Sequence, residues 1–532
     1  MKRGFAAAAA SPRSAGSNPG VPEQNGTLLG RYSALLRMKG PLVDVLLLYP
    51  GEPEGKPRLP MSVLTLASYC IPQGLDCQVV DERLTPLEDQ QIRDAKIIGI
   101  SSMSGTQLKS AIATARRVRK LRPEVPIVWG GAHASAYPEQ TARSPLVDYV
   151  VKGEGEQILA ELCKRILNDQ DVADLSSVTY VKDGTLVNNC ATHEMIDVED
   201  LPLTRYDLVD IKQYADFEDG FSYESSRGCP FRCTFCYVEY FHNRKWRSKS
   251  TEKVIAELRA IKKNIGVKKL YLIDDYFFSN RKRSLEICEA MIEANIDMTW
   301  TATARSDFLA RCTDQEMQII KDSGCTTLSI GAESGSDKIL KDLKKDITAE
   351  QTRIGVQKCV AVGIKPTLSF IIGLPTEREE DLEATLTLCD DLMSYGEDVE
   401  INGLFVYVPY SGTPLEETAT EYGYVARKEL EEWADWSFGD HSNNPWLGTK
   451  QRKRLEAIAS IARFKYMRHR FDSYSESYRH AKMRSPLIRL GYFVFVRVFA
   501  AMANLRWKRR LFTGALEWAL WRKLTYSLFR LT

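Results

Sequence analysis

The chain has 532 residues, too many for one ordinary domain; at roughly 150 residues per domain it divides into about three. With 44% hydrophobic and 27% charged residues it can bury large cores, which excludes global disorder and collagen-like structure. Lys+Arg of 72 against Asp+Glu of 70 gives a net charge of +2, which argues against a broad nucleic-acid-binding surface. No nucleic-acid partner is expected.

Residues 1–40 read as a disordered leader. Lys2 and Arg3 precede Ala6 to Ala10, but that apolar run is short and poor in Leu, Ile and Val for a signal peptide. Val43 to Tyr49 is a continuous apolar run of the kind found in a buried parallel strand. A Pro- and Gly-rich loop follows, then a helical pattern from Met61. Cys77 to Val80, Ile97 to Ser101, Ile127 to Trp129 and Tyr149 to Val151 read as further strands, alternating with helical stretches such as Leu108 to Leu121. Five such strands predict a doubly wound, Rossmann-like parallel sheet over residues 41–170. Ligands of such sheets bind at the carboxyl ends of the strands. Those ends carry Ser101-Ser102, Gly130-Gly131-Ala132-His133 and Gly153-Glu154-Gly155-Glu156. Together they outline a crevice for one extended ligand. No G-x-G-x-x-G follows the first strand and no P-loop is present, which disfavours a nucleotide.

Residues 171–220 read as a connector with a hairpin at Val178 to Val187 around Asp183-Gly184. A second alternation starts with strand Tyr223 to Ser226. Strands Leu270 to Ile273, Met298 to Thr303, Thr327 to Ile330, Thr367 to Ile372 and Ile401 to Val408 then alternate with helices. Six β/α units over residues 221–410 predict a partial barrel, open on one side, with its functional groups at the strand ends. Residues 411–532 read as a mostly helical region.

The 12 cysteines are too dispersed for a disulfide framework, which suits a reducing cytoplasm. Only Cys229, Cys233 and Cys236 cluster, in the loop after the first strand of the second unit. Three thiolates at this spacing can hold three irons of a 4Fe–4S cubane and leave the fourth iron open. Structural zinc is the alternative; it needs a fourth ligand, and His242 is the nearby candidate.

Cys229-Pro-Phe-Arg-Cys233-Thr-Phe-Cys236 and the six β/α units resemble the radical SAM superfamily. The upstream strand ends resemble its cobalamin-binding subclass; the likeness spans roughly residues 43–410. The resemblance implies three cofactors: a 4Fe–4S cluster on Cys229, Cys233 and Cys236, S-adenosylmethionine (SAM) chelating the open iron, and cobalamin. It implies cobalamin contacts at Ser101, Ser102, Gly130, Gly131, Glu154 and Gly155. It places Asp274 and Asp275 at the SAM amino group, Arg305 and Glu333 at its carboxylate and ribose, and Gly373 at adenine. One departure concerns the loop after the first strand, Gly51 to Lys56, which lacks the histidine that many cobalamin domains place below cobalt. Cobalamin is therefore expected without a protein histidine on the metal, and His133 at the corrin or its tail.

The resemblance further implies an external one-electron donor of the flavodoxin or ferredoxin type. The leading expectation is methyl transfer to an unactivated carbon of a small or lipophilic metabolite, by way of a 5′-deoxyadenosyl radical and methylcobalamin. A non-methylating cyclase or oxidase, of the type that builds the isocyclic ring of bacteriochlorophyll, shares all these motifs. An RNA methylthiotransferase would need a second cysteine triplet, but only Cys70 and Cys77 precede residue 160. The intact triplet weighs against a non-catalytic cobalamin carrier.

The tail is separate in character. Ser485 to Thr532 holds nine basic residues and one acidic one, Glu517. Leu487 to Leu505 is apolar except for Arg489 and Arg497, and Leu511 to Leu531 adds Trp518 and Trp521. This fits either an interfacial helix on anionic lipid or a helical cap on the open barrel. No uncharged apolar run reaches the ~18 residues of a membrane span. A cytoplasmic protein, with or without peripheral contact at the inner face of the membrane, is expected.

Overall fold

The computed structural model describes residues 42–189, 195–410, 412–437, 444–466 and 486–513. The expected leader, and the tail beyond residue 513 with Trp518 and Trp521, lie outside the described residues.

Seven strands form the first sheet: β1 Val43–Tyr49, β2 Cys77–Asp81, β3 Ala95–Ser101, β4 Ile127–Gly130, β5 Tyr149–Val151, β6 Val178–Lys182 and β7 Thr185–Asn188. Their order is β2-β1-β3-β4-β5-β6-β7, parallel through β5. The continuous apolar run of β1 follows from burial on both faces. Leu46 and Leu48 pack with Ile98 and Trp129 on one side, while Val45 and Leu47 pack with Ile97 and Val128 on the other.

The hairpin assigned to the connector belongs to this sheet. β6 pairs antiparallel with β5 and β7 with β6. The physical reason is that β5, only three residues long, would otherwise leave an unpaired edge.

The second sheet has six parallel strands in the order β15-β14-β13-β12-β11-β8. They are β8 Phe221–Tyr223, β11 Lys269–Leu272, β12 Thr299–Ala304, β13 Cys325–Glu333, β14 Lys365–Ile372 and β15 Glu400–Val406. A separate two-stranded ladder joins β9 Ser226–Arg227 to β10 Arg247–Ser248. The opening strand thus ends at Tyr223 rather than running to Ser226. Buried Asp274 accepts the Ser225 backbone N–H (2.8 Å) and the hydroxyls of Ser225 and Ser226, and so draws the chain out of the sheet.

Beyond the barrel, the chain first returns to the N-terminal domain. Trp433 and Trp436 are buried in that domain's core, where Trp433 stacks on Tyr137. Helix Thr449–Tyr466 then covers the open β15 edge, with Leu455, Ile458 and Ala462 in the barrel core. Helix Pro486–Lys508 adds Phe499, Ala503 and Trp507 to the same core, so the described part of the tail acts as a cap. Its other face exposes Val498, Met502 and Leu505. Among the described residues no helix is long and apolar enough to cross a membrane.

Candidate active site between the two sheets

The carboxyl ends of both sheets open onto one cavity of about 440 Å³. From the first sheet it is bordered by Ser101, Ser102, Gly130, Gly131, Glu154 and Gly155; Asp275, Arg227 and His242 face it from the barrel.

Small residues let the first sheet's strand ends interlock. The Ser102 N–H and hydroxyl both donate to the Gly130 carbonyl, and Ser101 and Ser62 hydroxyls lie 3.0 Å apart. Gly131 has φ +92°, and a Cβ there would sit 2.6 Å from the Ser102 carbonyl oxygen. Only glycine permits both that conformation and that approach. The indole N–H of Trp129, buried in the cavity wall, has no acceptor among the described residues.

His133 does not reach the cavity. It is buried beside Tyr137 and Trp433, with Nδ1 2.9 Å from the Ser104 hydroxyl. Burial lowers its pKa to about 3, so the ring is neutral. The histidine expected at the corrin or its tail sits in the domain core, off the cavity wall.

Glu154 lines the cavity, but its carboxylate is spent on the barrel. It accepts from Arg247 Nη1 (2.7 Å) and lies 2.7 Å from Nδ1 of His242. Burial alone would raise its pKa; the hydrogen bonds from Arg247 and His242 hold it at about 2. Glu156 likewise crosses to Arg227 at 2.7 Å. Nε2 of His242 lies 3.2 Å from Asp275. Burial opposes a charged ring here, yet bonds to Asp275 and Glu154 raise its pKa to about 9. With both ring nitrogens on carboxylates, His242 does not serve as the fourth ligand of a zinc site. Among the described residues no three ligating side chains converge on a single ion.

The cysteine loop follows β9. Gly228 (φ +85°) makes the turn into it, because a Cβ would fall 2.1 Å from the Lys245 carbonyl oxygen. Its N–H donates to Asp275 at 2.8 Å. Cys229, Cys233 and Cys236 are free and partly exposed, and the Cys236 N–H donates to the Cys233 carbonyl, folding the last two together. Burial pushes the Cys229 thiol up to about 11 and the Cys236 thiol up to about 12, so metal binding must displace their protons.

Two buried cations stand behind this loop. The Arg305 guanidinium lies over the Phe231 ring at 3.5 Å, places Nη1 3.9 Å from Cys233 Sγ and pairs with Asp307 at 2.9 Å. Lys345 pairs with Glu333 at 2.9 Å and stands over the Phe235 ring. Glu333 is a non-glycine residue at φ +61°, at an irregularity in the β13–β14 register. Such strain concentrates where function demands a fixed geometry. Asp274, by contrast, is enclosed by its serine donors and Arg283, and does not border the cavity. Gly373 (φ +76°) lies under the capping helix, its carbonyl accepting the Trp446 indole N–H at 3.0 Å.

The sequence reading missed Arg227, Arg247 and Lys345 and took His242 for a metal-ligand candidate. Arg227 stands two residues ahead of the triplet and has one local partner, Glu224, but its partner Glu156, and Glu154 that holds Arg247 and His242, come from the other domain.

Comparison with known proteins agrees with this geometry. The model of the radical SAM superfamily matches residues 223–389 and that of the B12 binding domain residues 59–163. An uncharacterized methyltransferase of Pyrococcus horikoshii is 30% identical over 370 residues, covering 68% of this chain and 78% of that protein. The anaerobic magnesium-protoporphyrin IX monomethyl ester cyclase of Rubrivivax gelatinosus is 27% identical over 371 residues, 65% of each chain. The fold matches the cobalamin-dependent S-adenosylmethionine radical enzyme OxsB, solved with aqua-cobalamin and SAM. The TM-score is 0.66 at 19% identity, covering 87% of this chain and 72% of that one. Two sheets that meet at a cysteine loop, each matched by its own family model, leave one conclusion: the chain belongs to the cobalamin-binding radical SAM enzymes, which use a 4Fe–4S cluster, SAM and cobalamin.

Proposed function

We propose that this enzyme transfers a methyl group from SAM to an unactivated carbon of a small, lipophilic molecule. One observation carries the reading: the strand ends of both domains and the residues flanking the cysteine loop share a single cavity. A substrate held there borders both cofactor regions at once.

Cys229, Cys233 and Cys236 would hold the cluster. Ser101, Ser102, Gly130, Gly131 and Gly155 would cradle cobalamin, with the Trp129 indole N–H offered to its acceptor-rich periphery. When bound, the cluster supplies one electron to cleave SAM, and cobalamin supplies a carrier for the methyl group. The chain's own residues bind, orient and exclude water. Arg305 and Lys345 place positive charge behind three cysteines that must become thiolates. Asp275 orients Gly228 and His242 at the loop's mouth, and Glu333 and Arg305 are suited to the polar groups of SAM. Phe241 and Ile273 give the barrel side of the cavity apolar surface, which favours a lipophilic substrate.

The electron donor is of the flavodoxin or ferredoxin type. The exposed Val498, Met502 and Leu505, on a helix that also bears Arg497 and Lys508, suit peripheral contact with anionic lipid at the inner face of the membrane. The relationship to the Rubrivivax gelatinosus cyclase supports a second reading, oxidative cyclisation without methyl gain.

The test is an anaerobic assay of reconstituted enzyme with cobalamin, reductant, methyl-deuterated SAM and cell extract. 5′-Deoxyadenosine together with S-adenosylhomocysteine and a deuterated product supports methyl transfer. 5′-Deoxyadenosine alone, with an oxidised product, moves the assignment to cyclisation.

A further inference from the structure

The cysteine loop, residues 228–246, leaves and re-enters the fold through the β9–β10 ladder. In that ladder Arg227 stands directly opposite Arg247. Like charges directly opposite each other destabilise a strand pair, so the base of the loop needs compensation. Much of it comes from one turn of the other domain. Glu156 holds Arg227 at 2.7 Å, and Glu154 holds Arg247 with two hydrogen bonds, one of 2.7 Å. Glu154 also holds His242, inside the loop, and His242 reaches Asp275. Glu224 gives Arg227 a second carboxylate from within the barrel, at 2.9 Å. The side chains of Glu154, Glu156, Arg227 and His242 are 4%, 4%, 8% and 10% exposed, so water cannot substitute for a lost partner. Removing one member of a buried pair leaves the other charge uncompensated.

We propose that Glu154 and Glu156 are positioning residues that close the base of the cysteine loop from the cobalamin-binding domain, so that retention of the cluster depends on the seating of that domain. The Gly153-Glu154-Gly155-Glu156 turn then has two faces. Its backbone and Gly155 border the cavity, while its carboxylates cross into the barrel. Neither glutamate contacts a cysteine; both act through Arg227, Arg247 and His242, which bracket the triplet on each side. A loop with a closed base holds its three thiolates at fixed spacing, whereas an open base lets iron dissociate one contact at a time. The inference rests on the cluster being carried by Cys229, Cys233 and Cys236.

The test is the rate at which a strong ferrous chelator, bathophenanthroline disulfonate, strips iron from the full-length reconstituted protein, without SAM or substrate. Glu154→Gln should release iron about 10-fold faster than wild type, as expected when a group that orients metal ligands is lost. Tyr137→Phe removes a different contact of the same domain, its bond to Glu416, and should release iron at the wild-type rate. Arg247→Gln cuts the same pair from the barrel side and is read identically if Glu154→Gln does not fold. Release within twofold of wild type in a folded variant overturns the proposal. So does equal acceleration in Tyr137→Phe, which would mean general loosening. The readout requires no turnover, so it stands whichever reaction the enzyme performs; failure of wild-type protein to take up a cluster would instead refute the cysteine assignment, and this inference with it.

Discussion

The two parallel sheets meet the same cavity with opposite chemistry. The first sheet offers small, uncharged strand ends: Ser101-Ser102 and Gly130-Gly131 close on each other through backbone hydrogen bonds, and the turn's two carboxylates point away into the barrel. The barrel brings close pairs of acidic and basic side chains: Asp275 with His242 at the cavity, and Arg305 with Asp307 and Lys345 with Glu333 behind the cysteine loop. The contrast follows from what each must hold. A broad ligand with its own hydrogen-bonding periphery needs shape and close backbone approach. A charged amino acid conjugate and a thiolate-bound cluster need fixed charges in low dielectric, where an incomplete pair is costly.

The sharpest way to separate the two ends is Cys233→Ala. Loss of one of three cluster ligands should abolish 5′-deoxyadenosine formation while leaving cobalamin binding, read from its visible absorption, unchanged. Retained SAM cleavage would break the comparison. The next effect comes from the two glycine turns. Gly228→Ala and Gly131→Ala each impose φ > 0 strain of about 1–3 kcal/mol and bring a Cβ within 2.1 Å and 2.6 Å of a backbone oxygen. Both should lower the melting temperature. Gly228→Ala should reduce iron content with cobalamin binding retained, and Gly131→Ala should do the reverse.

Arg305→Lys keeps the charge but loses the planar face over Phe231, and should cost about 1–2 kcal/mol, read as a fall in denaturation midpoint with weaker SAM binding. The two buried histidines give a pH test of opposite sign. The His242 pKa is raised to about 9, so its contribution is complete below the ordinary histidine value of ~6.5 and is lost as pH rises through about 9. Thermal melts should therefore weaken towards alkaline pH in wild type and less so in His242→Gln. His133, held near 3, refuses a proton that the unfolded chain accepts below ~6.5, so it costs stability as pH falls through that range. The smallest effect should be His133→Phe. It removes the contact between the Ser104 hydroxyl and Nδ1, costing about 1 kcal/mol, and should not shift the absorption of bound cobalamin.

Much of this architecture was legible in the order of residues. The β1 run reports burial directly, since a strand covered on both faces must be apolar throughout, and barrel strands such as Thr299–Ala304 report it by alternation, every second residue being buried. The strands Val43–Tyr49 and Tyr149–Val151 have the bounds expected of them. Where expectation and structure part, the cause is contact between distant segments. The β6–β7 hairpin reads as a linker because its partner, β5, is three residues of unremarkable sequence. Trp433 and Trp436 lie after the barrel in sequence but complete the core of the domain before it. Of the site residues, Ser101, Ser102, Gly130, Gly131, Glu154, Gly155 and Asp275 border the cavity. Asp274 and His133 turn into the protein, Arg305 and Glu333 are taken up by Asp307 and Lys345, and Gly373 lies under Trp446.

Local order alone determined the two α/β units, the cysteine spacing and the glycines that only a left-handed turn explains. Each of these depends on neighbours within a few residues: strand and helix periodicity, thiol spacing, backbone sterics. The sequence could not say which charges would meet. Glu154 and His242 are 88 residues apart, Glu154 and Arg247 are 93 apart, and Glu154 looked like a cofactor ligand until the barrel supplied its partners. A buried charge acquires its role from the groups enclosing it, and those were assembled only when the two domains closed on each other.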